Sequence, residues 1–106
     1  MANRLIVTSH EAIELRLAKS EILDAATALR YSAGEAYDDE RLHTAVRHYK
    51  LAARLYQRGG FSVRATDCYH LARVIEQEQL AREAGEDEEA DYLEASIRKF
   101  MKGTVS

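Results

Sequence analysis

Apolar residues return every three to five positions along most of this chain, with charged residues filling the gaps. Ile13, Leu17, Ile22, Ala25, Ala26 and Leu29 make a first stripe, and Leu42, Ala45, Val46, Tyr49, Ala52, Ala53 and Tyr56 a second. Ala65, Cys68, Tyr69, Ala72 and Ile75 make a third, continued by Leu80 and Ala84, and Ala90, Leu93, Ile97, Phe100 and Met101 a fourth. This is the period of a helix with one buried face, not the strict alternation of a strand. It predicts four amphipathic helices, at about residues 9–33, 39–58, 62–84 and 87–102.

The residues between the stripes read as punctuation. Thr8 with Glu11 forms a capping box and Ser9 is a second candidate cap, so the first helix starts near residue 9. Gly34 reads as its stop, and Asp38 or Asp39 as the cap of the second. Gly59–Gly60 and Gly85 close the second and third helices, because glycine takes the left-handed cap conformation without a Cβ penalty. The fourth opens on Asp87, Glu88 and Glu89 and closes on Arg98, Lys99 and Lys102, matching the helix dipole at both ends. Gaps this short make each helix antiparallel to the one before it. The chain therefore reads as all-α, four antiparallel helices in one domain over residues 1–106.

Composition agrees with a helical chain. There is no Pro, only five Gly, 46% hydrophobic residues and 31% charged ones, so the chain is rich enough to fold and nearly free of helix breakers. The start of the chain fills with charge after a short apolar run, so neither a signal peptide nor a membrane span is expected, and a cytoplasmic site is the default.

A second pattern is superimposed on the stripes. Ala-x-x-x-Tyr-x-Leu-Ala occurs at Ala45–Ala52 and again at Ala65–Ala72, twenty residues apart. Tyr49, Ala53 and Tyr56, then Gly60, then Ala65, Tyr69 and Ala72 place small and large side chains alternately on facing helices, as close hairpin packing requires. Over residues 49–72 this resembles one tetratricopeptide-type repeat, a helix-turn-helix unit that stacks to build binding surfaces. It is also similar to a helical hairpin of vesicle-fusion adaptor proteins, which hold partner helices. The likeness covers about a third of the chain: Phe61 stands one place early for the aromatic after the turn, and Gln77 replaces the closing Pro. It implies tetratricopeptide-like hairpins around residues 39–84 and a protein- or peptide-binding role. The same stripes also fit an up-down four-helix bundle, and the two architectures differ in whether a concave groove is left open.

Candidate chemistry is sparse. Arg47, Lys50, Arg54 and Arg58 line one side of the second helix, with His43 on the same line, and Arg64 and Arg73 follow on the third. Such a strip can grip carboxylate or phosphate through the guanidinium fork, or simply be a solvated face. These six cations are the candidate partner contacts, with Tyr49, Tyr56 and Tyr69 assigned to packing.

A net charge of −3 speaks against general nucleic-acid binding. Gln79, Leu80, Ala81, Ala84 and Gly85 look like the opening of a DNA-reading helix-turn-helix, but the helix that would read bases carries Glu86, Asp87, Glu88, Glu89, Asp91 and Glu94. The acidic run lacks the alternation of a calcium loop, the four His contain no pair at helix spacing, and Cys68 is single. Cys68 and His70, two residues apart on one helix, point about 160° from each other and make no catalytic pair. The expectation is a non-enzymatic module without metal or cofactor, binding a protein or peptide with acidic character, as adaptor, chaperone or regulator. A nucleic-acid-associated regulator is the alternative. Uncapped end helices add a possible homodimer contact through the first or fourth helix.

Overall fold

The structure, a computed structural model, describes the backbone over residues 9–105 and side chains over residues 18–103. Four helices follow one another, α1 Ser9–Asp38, α2 Leu42–Arg58, α3 Ser62–Glu83 and α4 Asp87–Val105, with no strand among the described residues. The Thr8–Glu11 capping box and the Ile13 and Leu17 side chains lie outside the described residues.

Three connections of one design join the helices. After each of the first three, the chain takes a single left-handed residue: Glu40 (φ 63°), Gly60 (φ 85°) and Gly85 (φ 77°). The next amide reaches back five residues at 2.8 Å each time, Arg41 to Ala36, Phe61 to Tyr56 and Glu86 to Ala81, while the left-handed residue's own amide bonds three residues back. This is the Schellman arrangement, which satisfies the last carbonyls of each helix. The carbonyls of Arg41, Phe61 and Glu86 then accept the first amide bond of the following helix, from Ala45, Ala65 and Ala90. All three alanines are buried, so each turn is pinned by a small residue one turn into its successor.

The connections correct two expectations and sharpen a third, the stop at Gly59–Gly60. Gly34 does not stop α1, which continues to Asp38: Ala36 and Tyr37, 1% and 2% exposed, gain more from burial than one helical glycine costs, about 1 kcal/mol. Neither Asp38 nor Asp39 caps α2, because Arg41 occupies the cap position and no side chain bonds there. Within Gly59–Gly60 only Gly60 is left-handed. Gly59 is required by packing, since a β-carbon there would meet the Phe61 ring at 2.8 Å and Ile22 at 3.1 Å.

Helices that follow one another in the chain pack against one another, α1 on α2, α2 on α3 and α3 on α4. The middle helix α2 buries Ala45, Val46, Tyr49, Ala52, Ala53 and Tyr56, as its stripe predicts. His48 meets Ser32 at 2.9 Å and Tyr56 meets Thr27 at 2.9 Å on the α1 side, while Lys50 reaches Glu76 on the α3 side. α3 departs from its predicted stripe. Tyr69 (41% exposed), Leu80 (65%) and Ala84 face solvent, while Leu71, Glu78 and Ala81 are buried. α4 meets α3 from His70 to Arg82 while α2 still meets it at Glu76, so the two neighbours cover overlapping stretches from different sides, and the buried positions step by threes through Ala72, Ile75, Glu78 and Ala81.

Candidate partner-docking face

α2 separates two surfaces. On its front, Tyr49 floors a depression of about 200 Å³ with Leu71 of α3, Met101 of α4 and Arg30, Tyr31 and Gly34 of α1. On its back stand the cations: with about 100° per residue, Arg47 and Arg54 point about 160° and 140° from Tyr49. Arg47, Arg54 and Arg58 are exposed, and none has an ion-pair partner among the described residues. Lys50 is engaged, at 3.2 Å from Glu76.

The back continues onto α3. Lys50, Thr66, Tyr69, His70, Ala72, Arg73 and Glu76 line a depression of about 490 Å³ between the two helices. Arg73 therefore joins the α2 strip, and so does Tyr69, whose ring is an exposed apolar surface amid cations rather than the packing residue expected. Arg64 does not join: nine residues before Arg73, it points about 180° away, and its guanidinium stands 5.6 Å from the centre of the Phe61 ring. The sequence carried the signal for Tyr69, because it falls at i+4 from Ala65 but i−4 from Arg73, on the border of the stripe.

At the far end, a polar ring ties three helices together. The Tyr37 hydroxyl donates to Glu78 Oε1 at 2.6 Å, and Arg82 donates to Glu78 Oε2 at 2.9 Å and to Glu94 at 2.8 Å. Arg98 donates to Glu94 at 3.3 Å and to Asp38 at 3.0 Å, and its guanidinium sits 5.1 Å over the Tyr37 ring. The circuit closes on the residue beside its start. Glu78 is 2% exposed, so these partners are what let a carboxylate sit in the core. Burial, with Glu78 alongside, pushes the Tyr37 hydroxyl pKa well up, and the bonds to Glu78 and Asp38 raise those of Arg82 and Arg98. This ring is architecture: every charge in it is answered by another.

Other chemistry is weakly represented. Burial pushes the Cys68 thiol up to about 11, which holds it protonated and unreactive, and Cys68 is buried while His70 is exposed against Phe100. Among the described residues no group of three His, Cys, Asp or Glu could hold a metal, and no helix is long and apolar enough to cross a membrane. The α3–α4 connection is an antiparallel hairpin, with Arg82 against Asp91 and Glu94, and His70 against Phe100. No protein-family model, no curated protein and no solved structure matches this chain.

Proposed function

We propose that this chain is a non-catalytic protein- or peptide-binding module, an adaptor, chaperone or regulator, which docks acidic segments on the back of α2 and α3. The observation that carries this reading is the set of three exposed arginines, Arg47, Arg54 and Arg58, standing on one line of α2 without counterions among the described residues. In the ring around Glu78, by contrast, the arginines are held by carboxylates of their own chain. Arginine forks favour carboxylates, and the exposed Tyr69 ring supplies an apolar contact beside them. The tetratricopeptide-like hairpin of residues 49–72 belongs to the same reading: its buried small and large residues form the scaffold, and the cations behind it form the contact.

The test is binding of a fluorescent helical peptide with Glu on one face, measured against salt. Affinity is expected to fall as salt rises and to be lost in the combined Arg47→Glu, Arg54→Glu and Arg58→Glu variant. Binding that survives the reversal unchanged overturns the reading. Salt-dependent binding of duplex DNA or RNA in place of the peptide would move the strip to the nucleic-acid alternative, since phosphate answers the same forks.

A further inference from the structure

Charge is distributed unevenly along the helix axes. The α1–α2 and α3–α4 turns lie at one end of the molecule, tied by the Tyr37–Glu78 and Asp38–Arg98 contacts and by the depression that Glu40–Thr44 share with Gln79. That end carries Asp-Asp-Glu at 38–40 and Glu-Asp-Glu-Glu at 86–89, all exposed. Its arginines are already committed, Arg41 to Asp39 and Arg82 to Glu78, Asp91 and Glu94. Carboxylates there crowd one another: Glu86 beside Glu89 raises the Glu89 pKa.

The other end holds the α2–α3 turn and the end of α4. Residues 51–66 and 99–105 contain no Asp or Glu, but do contain Arg54, Arg58, Arg64, Lys99 and Lys102. On α1 the nearby described charges are Lys19, Glu21 and Asp24, a net of −1 against five cations. From Glu40 to Arg58 the axis spans about 27 Å at 1.5 Å per residue, far beyond a screening length of about 8 Å at physiological salt. The two ends of one molecule therefore leave each other unneutralised, and each is complementary to the opposite end of another copy.

We propose that the occupant of the basic back is a second copy of this chain, its acidic turn end at residues 86–89 seated on Arg47, Arg54 and Arg58. Apolar anchors sit in both patches: Tyr92, 72% exposed, lies one turn beyond Glu88 and Glu89, and Leu51, 38% exposed, lies among the three arginines. A contact between two different patches is heterologous, so each copy offers one donor end and one acceptor face. This inference rests on the basic back being a docking face and names what fills it.

Sedimentation velocity of the full chain tests it, with wild type, an Arg54→Glu/Arg58→Glu variant, a Glu86→Lys/Glu89→Lys variant and an equal mixture of the two variants. Wild type is expected to associate increasingly with concentration at about 0.01 M salt and to dissociate at about 1 M. Each variant alone is expected to stay monomeric, and the mixture to associate as wild type does, since the patch reversed in one variant complements the patch reversed in the other. Circular dichroism establishes that each variant folds, with Arg54→Ala/Arg58→Ala and Glu86→Gln/Glu89→Gln as milder replacements. A monomeric wild type at low salt, variants that associate like wild type when alone, or a mixture that stays monomeric overturns the proposal. If self-association fails while the acidic peptide still requires the arginines, only this inference falls. If the peptide ignores the charge reversal, the docking face itself falls.

Discussion

The Tyr37 hydroxyl donates a 2.6 Å hydrogen bond to Glu78 Oε1 across 41 residues of sequence, joining the end of α1 to the last third of α3. Both residues are 2% exposed, so neither can exchange the partner for water. Tyr37→Phe removes the donor and leaves one carboxylate oxygen with no replacement. The expected loss is about 1–3 kcal/mol in urea denaturation, the cost of a buried acceptor left unsatisfied. Combined with Glu78→Gln, the two changes should couple by about 0.5–3 kcal/mol in a double-mutant cycle. Strict additivity would mean that the contact contributes nothing beyond packing.

The turn residues make opposite predictions at equivalent places. Glu40 holds φ 63° with a side chain, at a conformational cost of about 1–2 kcal/mol, whereas Gly60 takes φ 85° freely. Glu40→Gly should stabilise the protein by about 0.5–1 kcal/mol once the greater freedom of the unfolded chain, about 0.4–1 kcal/mol, is subtracted. Gly60→Ala should destabilise it by a similar amount, because a β-carbon there meets nothing within 4 Å and the cost is purely that of φ. Thermal melts of the two variants should move in opposite directions. A shared direction would show that the two turns are not equivalent.

Stability should fall in alkali. Burial raises the Cys68 thiol to about 11 and the Tyr49 hydroxyl to about 12, from reference values of 9.0 and 10.0, and the Tyr37 hydroxyl also shifts upward. Above pH 9 the unfolded chain releases protons that the folded chain retains, so the unfolding free energy decreases as pH rises. The contribution from Cys68 is complete below pH 9 and is lost towards pH 11; that from Tyr49 is lost between about 10 and 12. Urea midpoints measured from pH 8 to 11 should decline, and Cys68→Ala should flatten the first part of the decline. An unchanged slope in that variant would rule out Cys68 as a source.

What the sequence makes legible depends on whether the covered face of a helix keeps one bearing along its length. α2 is flanked by α1 and α3 throughout, so one fixed apolar stripe describes it and every buried residue was on that stripe. On α3 the buried positions drift round the helix in steps of three from Ala72 to Ala81, and a stripe drawn through Ala65 and Cys68 goes astray at Tyr69 and Leu80, which are exposed. Glu78 was unreadable for a different reason. A carboxylate is placed in a core by its partners, and Tyr37 lies 41 positions away. The basic strip was visible because spacings of three and four need only the local helix, but which of its members stay free was not: Glu76, which engages Lys50, sits on another element. Gly34 misled because a glycine near a predicted helix end has the same local appearance whether or not burial further on, here Ala36 and Tyr37, carries the helix past it.

The three matching connections have a consequence for how the chain steers itself. Because each joint is the same, the length of the helix before it is the one variable that sets the direction in which the chain leaves. α3 has 22 residues and α2 has 17. Those five additional residues turn the exit by about 140°. α4 is thereby sent off along a different side of α3 from the one that α2 occupies. Removing one residue from α3 would swing α4 by about 100° and part Arg98 from Asp38, whereas removing a whole turn would nearly restore the heading. In this fold, helix length is a steering angle.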